Sequence, residues 1–289
     1  MNNSNTLNKY LIVSPCGNRS RLFKDLWMKD YERKNFDICL LFYDEEIHDN
    51  SLYKDINYFY HLKGFKYEMA YDVFMNIKPE ILDKYEHFYF LDDDISIDTE
   101  SINKLFDLHN AFRSYLSQAS LTKDSFCSWE IFKTDKSAFC RYAGQIEVMS
   151  PMFSKEALKI CLPSFISNKS SWGMDSVWAK LLGYPKDKFI IFDCIQMKHT
   201  EPVGAGALYK RIKVAPHTDW ENITNEFGAK KQNYREYGRL SIVNQNKNKF
   251  IYFKVKVGEL FSTIKRSIKD YDATSRINNQ LKLIRHKNL

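Results

Sequence analysis

Apolar residues in this chain fall into short, dense runs separated by polar turns, and these runs alternate with stretches of helical period. Residues 10–14 (YLIVS) read as a first strand and residues 15–19 as a turn, with Leu22, Leu26 and Trp27 on a helical face. Residues 36–44 are nearly all apolar, the pattern of a strand buried on both faces. A short third strand is predicted over 57–62, helices over 67–75 and from Pro79 to Lys84, and a strand over 87–91. Beyond it, Asp98-Thr99-Glu100 starts a helix through Leu105, Leu108 and Phe112. Residues 118–129 are less regular. A strand is expected over 146–153, a helix from 154, a loop over 170–175 opening a helix with Val177, Trp178, Leu181 and Leu182, and a last core strand over 189–193. That strand runs into residues 197–202 and a loop holding Gly204 and Gly206. Strands alternating with helices predict an α/β fold with a doubly wound sheet, whose ligands bind beyond the carboxyl ends of the strands.

The C-terminal part reads differently. Residues 244–248 are polar and linker-like, and no internal repeat is found. Val257, Leu260, Phe261, Ile264 and Ile268 then recur at spacings of three and four, among Lys256, Lys265, Arg266 and Lys269. This pattern predicts a basic amphipathic helix, held either by an anionic membrane surface or by the body or a second subunit. We divide the chain into residues 1–215 and a C-terminal extension, 216–289.

Charge sharpens this division. The 289 residues carry a net +7, yet residues 247–289 hold eleven Lys and Arg against three acids, which leaves 32 basic and 33 acidic residues before them. A near-neutral body disfavours nucleic acid as a partner. No apolar run is long enough to span a bilayer, and the polar start of the chain predicts no signal peptide. The six cysteines show no CxxC spacing and several sit in apolar runs, so reduced thiols and a cytoplasmic location are expected.

Three features carry candidate chemistry. Asp92-Asp93-Asp94 follows the apolar run at 87–91, Trp172-Gly173-Met174-Asp175 opens a helix, and His199 follows the last core strand. Each has a plain alternative: a solvated turn, a helix cap, a surface histidine. Together, in this order at one sheet edge, carboxylates and an imidazole suit a Mn²⁺ or Mg²⁺ shell with room for phosphate oxygens, and a separate carboxylate suits a general base.

On these residues the chain resembles nucleotide-sugar-dependent glycosyltransferases of the GT-A fold, with Asp92-Asp93-Asp94 as the DxD motif. More closely, it resembles the DUF707 family, through the segments at 40–44, 63–68, 89–94, 116–119, 147–153, 172–175 and 192–199. The resemblance spans roughly residues 10–205. It implies metal-dependent transfer of a sugar from a nucleotide-sugar donor, a UDP-sugar first of all, to a glycan or lipid-linked glycan. Assembly of a bacterial surface polysaccharide, capsule or lipopolysaccharide, would be the setting, at the inner face of the membrane. Asp92, Asp94 and His199 would hold the metal, and Asp92 could instead meet ribose. Asp93 could replace either acid in a shifted register. Ser14, Arg19, Asp44, Lys63 and Lys66 would contact the donor. Asp175 would be the base of an inverting reaction, and Trp172, Gly173, Arg141 and Glu147 would contact the acceptor. The alternatives are a nucleotidyltransferase or sugar-phosphate enzyme, which the Gly-poor turn at 14–19 fits badly, and a non-catalytic binding module.

Overall fold

In the computed structural model, residues 9–203, 215–230, 234–244 and 251–255 are described. The apolar runs near the N-terminus form parallel strands: Tyr10–Cys16 (β1), Asp37–Phe42 (β2), Tyr58–His61 (β3) and His87–Phe90 (β4). β1 lies between β2 and β4, with β3 outside β2. Every residue of β2 is buried, as the apolar run from Ile38 to Phe42 requires, and Asp37 at its start accepts from the Tyr85 hydroxyl. The chain continues through Ile95–Ser96 (β5), Leu116–Leu121 (β6), Ala138–Ala143 (β7), Met152–Ser154 (β8), Phe189–His199 (β9), Glu236–Asn244 (β10) and Ile251–Val255 (β11). Across the sheet the order is β11-β10-β7-β9-β6-β8-β4-β1-β2-β3, with β5 paired to the end of β9. The sheet is mixed: β8 runs antiparallel between β4 and β6, and β7 runs antiparallel to β9.

Helices cover both faces, and β4 shows how. Phe88 and Phe90 point to one face, where they meet Phe74, and Phe90 also meets Tyr67 of Lys66–Asp72 (α1). Tyr89, between them, points to the other face and meets Phe106 of Thr99–Ala111 (α3). Asp98 caps α3 by accepting from the Ser101 amide at 2.7 Å. Glu80–Lys84 (α2), Lys155–Cys161 (α4), Met174–Leu181 (α5) and Pro216–Glu226 (α6) complete the α-helices of the described residues.

The structure departs from the sequence pattern in four places. β6 lies in the stretch read as irregular, because its serines and glutamine hide a buried strand. Ser117 pairs with His109 Nδ1 at 2.7 Å, and Ser120 with Thr134 at 2.9 Å. β7 was not anticipated. The strand expected over 146–153 is regular only from Met152: Pro151 has no amide hydrogen, and the segment meets the end of β4 through single bonds, Phe90 N to Pro151 O at 2.9 Å and Asp92 N to Met149 O at 3.0 Å. β9 runs six residues further than expected, past a register break opposite Ala119 and Ser120.

The sheet does not stop at residue 215. β10 pairs with β7, and α6 packs on α5, so residues 216–244 build on the elements before them. The amphipathic helix predicted around residues 257–268 lies outside the described residues, as do Gly204 and Gly206.

Candidate active site

A cleft of about 870 Å³ opens at the carboxyl ends of the central strands. β1 and β2 end level there, Cys16 opposite Phe42, while β4 ends three residues earlier, Phe90 opposite Val13, which leaves room for the chain that follows it. Asp92, Asp93 and Asp94 leave β4 at its floor and fan out in three directions. Asp92 Oδ1 is 2.7 Å from the Lys66 ammonium, which also donates to the Val148 carbonyl at 3.0 Å. Asp93 Oδ2 accepts from the Ser20 hydroxyl, and from Tyr43 at 3.3 Å. Asp94 Oδ2 faces His199 Nε2 at 3.1 Å. This last pairing follows from strand register: β5 sets Ile95 opposite His199, and the Thr200 amide donates to the Asp94 carbonyl at 3.1 Å.

Burial dominates the protonation of these groups. It raises Asp93 to about 7 and raises Asp92 against the pull of Lys66. It lowers Lys66, with Asp92 opposing. For His199 burial alone would lower the pKa, but the Asp94 carboxylate outweighs it and holds the imidazole up at about 9.

Asp94 and His199 meet at one corner of this floor. Asp94 Oδ1 is buried without a hydrogen-bond partner, and His199 Nδ1 is anchored to the Phe126 carbonyl at 2.8 Å, which would leave Nε2 as the nitrogen toward a metal. Among the described residues no three His, Cys, Asp or Glu side chains converge closely enough to hold a metal by themselves. Further ligands would have to come from substrate or water. Asp92, expected as a third ligand, pairs through Oδ1 with Lys66.

The opposite wall is aromatic and acidic. Asp175 sits in the first turn of α5, its Oδ1 accepting from the Ser176 amide at 2.8 Å and its Oδ2 from Tyr234 at 3.0 Å. Burial raises it to about 6, against those bonds. Glu147, on the β7–β8 connection, is held by its amide to Gln118 Oε1 at 2.7 Å, while its Oε2 is buried without a partner. Burial and the neighbouring Asp175 raise it to about 8. Gly173 precedes α5 with φ +89, and a Cβ there would lie 2.1 Å from Trp220 Cδ1. The loop before it is tied by Asn168 Nδ2 to the Trp172 carbonyl at 2.7 Å and by the Ser170 amide to Asp219 at 2.9 Å. The helix α6 thereby fixes the loop that presents Trp172.

Of the residues singled out from the sequence, Arg19, Lys66, Asp92, Asp94, Glu147, Trp172, Gly173, Asp175 and His199 line this cleft. Ser14, Asp44, Lys63 and Arg141 do not. Ser14 is fully buried, its hydroxyl on the Pro15 carbonyl at 2.9 Å. Asp44 accepts from the Asn18 amide at 2.8 Å and so shapes the turn after β1. Lys63 is exposed, one residue before the lining begins at Gly64. Arg141 is buried in a bidentate pair with Asp193, at 2.8 and 2.9 Å, and also donates to the Ile131 and Lys133 carbonyls. It supports β7 and β9 from within.

The sequence reading missed Ser20, Arg21, Tyr43, Trp129, Trp220 and Tyr234, all in the lining. For Ser20 and Arg21 the signal was their place in the turn after β1. Trp220 and Tyr234 lie beyond residue 215; the packing of α6 on α5 brings the first here, and the pairing of β10 with β7 the second.

Fold and site together define a doubly wound α/β protein with a carboxylate-rich cleft at the carboxyl edge of its sheet. The chain belongs to the DUF707 family, whose model, described as "Protein of unknown function (DUF707)", matches residues 1–247. No curated protein matches it. Among solved structures it is similar to S. aureus TarS 1–349 in complex with UDP-GlcNAc, at 13% identity and TM-score 0.49, over 76% of this chain and 65% of that one. TarS 1–349 without a named ligand gives 11% identity and TM-score 0.44, over 76% and 72%. A197 from STIV gives 13% identity and TM-score 0.39, over 66% and 85%. The chain thus spans just under two thirds of the first of these.

Proposed function

We propose that this protein is a glycosyltransferase that moves a sugar from a nucleotide-sugar donor, a UDP-sugar first of all, to a hydroxyl of a glycan or lipid-linked glycan. The observation that carries this reading is one cleft with two chemistries. A buried carboxylate raised to about 6, Asp175, stands under an aromatic wall, and an acidic and imidazole floor lies near two exposed guanidinium groups, Arg19 and Arg21.

The donor lies on the β1, β2 and β4 side. Arg19 and Arg21 meet its diphosphate, and Asp93, Ser20 and Tyr43 face its nucleoside. The acceptor lies against Trp172 and Trp220, whose faces suit the C–H surface of a pyranose. Asp175 takes the proton of the acceptor hydroxyl as its oxygen bonds to the anomeric carbon. The bond from that carbon to the diphosphate breaks, and the nucleoside diphosphate leaves with the electron pair. Attack opposite the leaving group inverts the anomeric centre. Glu147, protonated near neutrality, offers its carboxyl hydrogen to an acceptor oxygen. Asp94 and His199 would hold a Mn²⁺ or Mg²⁺ ion, which when bound neutralises charge on the leaving diphosphate.

Among the described residues no helix is long and apolar enough to cross a membrane. We place the protein in surface-polysaccharide assembly, peripheral at a membrane, on the strength of the basic stretch after Lys247.

Thermal shift with a panel of nucleoside diphosphates and nucleotide sugars, with Mn²⁺ and with EDTA, tests donor binding. At least one uridine nucleotide raises Tm, more with Mn²⁺ than with EDTA, and Asp94→Asn removes the difference. No shift with any member of the panel contradicts the reading.

A further inference from the structure

We propose that Tyr234 is a positioning residue for Asp175, its phenol fixing the carboxylate's orientation and favouring its ionised form. This rests on Asp175 acting as the base. Both carboxylate oxygens are engaged by separate elements: Oδ1 by the Ser176 amide of α5 at 2.8 Å, and Oδ2 by Tyr234 at 3.0 Å. A carboxylate held by one bond can turn about its Cβ–Cγ bond. Held by two, from two elements, it presents its remaining lone pairs in one direction.

Tyr234 is itself fixed. Its ring stacks on Trp129 with centroids 3.9 Å apart and planes 21° from parallel, and Phe132 meets it edge-on at 6.0 Å. Its backbone is set by β10: the Gly144 amide donates to the Arg235 carbonyl at 3.0 Å, and Glu236 pairs with Ala143. The phenol stays protonated, because burial, Asp175 and Glu147 all push its pKa above the ordinary tyrosine range. It therefore acts as a donor throughout the working range.

The groups around Asp175 act in opposite senses. Glu147 faces it from the β7–β8 connection, and the two carboxylates disfavour each other's charge. Tyr67 of α1 stays neutral and donates to the Val148 carbonyl at 2.6 Å. The Ser176 amide and the Tyr234 hydroxyl lower the Asp175 pKa against burial. Gln145 packs behind, donating to the Ser176 hydroxyl at 3.1 Å. Removal of the Tyr234 hydroxyl leaves burial less opposed.

The test is Tyr234→Phe in the full-length protein, read by the pH profile of kcat/KM and by carboxyl ¹³C titration of Asp175, assigned with Asp175→Asn. The variant's acid limb and its Asp175 titration both move up by roughly half to one pH unit, with the donor KM unchanged. Trp129→Leu keeps the phenol but frees the ring, and shows a smaller shift in the same direction should Tyr234→Phe not fold. An unmoved titration in a folded, active variant overturns the role of Tyr234. A moved titration in a protein that turns over no nucleotide sugar keeps the contact and overturns the glycosyltransferase reading instead.

Discussion

At the scale of single residues, burial decides most of the site's chemistry. Asp175 and Glu147 share one wall, and their surroundings set them apart: two hydrogen bonds temper Asp175, while one Glu147 oxygen has none. A base must be ionised, so activity rises as pH rises through about 6, the Asp175 value. Asp175→Asn lowers kcat by about 10²–10⁴-fold without changing the shape of the binding site. Glu147 behaves differently under a stability measurement. Its folded value is raised to about 8 from the ordinary 4.5, so the folded form keeps its proton while the unfolded form loses it. Its stabilising share is complete below the unfolded value and falls until pH passes about 8. Glu147→Gln therefore gains Tm relative to the parent between pH 5 and pH 8, and a constant difference across that range contradicts the raised, buried state of Glu147.

The elements determine which acids meet which partners. The runs that became β1, β2 and β4, and the helix starts at Asp98 and Ser154, are legible from local pattern, since apolar period and helix-start chemistry act within a few residues. β6 and β7 are not, because their polar side chains are satisfied only by distant residues such as His109 and Asp193. Arg141 shows the same limit: a charged residue beside a candidate site reads as a ligand-binding group until its buried partner is seen. Arg141→Ala should cost about 3–5 kcal/mol of stability by leaving Asp193 charged and unpaired. The measurement is chemical denaturation, with acceptor KM unchanged in the folded fraction. Gly173 is an element boundary with a steric duty. Gly173→Ala puts a methyl group into Trp220 at a positive φ, so it loses about 1–3 kcal/mol and displaces the aromatic wall. Its acceptor KM rises while donor binding is kept.

Across the whole molecule, the cleft draws on chain far apart in sequence. The acidic floor draws on the ends of β1, β2, β4 and β9, while the aromatic wall needs α6 and Tyr234, two residues before β10. The acidic triplet, Asp175 and His199 could be found in the sequence because each follows or opens a regular element. Trp220 and Tyr234 could not, because residues after 215 look like an appendage until α6 packs on α5 and β10 pairs with β7. A chain ended at residue 215 lacks both side chains and the strand beside β7, and it has no transfer activity even where it is soluble. The central claim is transfer with Asp175 as base, and proton NMR of the full-length protein with nucleotide-sugar donors and hydroxylated acceptors tests it most directly. The expected result is loss of the donor's anomeric signal, appearance of nucleoside diphosphate and of product with inverted configuration, and turnover slowed by about 10²–10⁴-fold in an Asp175→Asn protein that still binds donor. Retention of configuration, or an Asp175→Asn protein as fast as its parent, would contradict it.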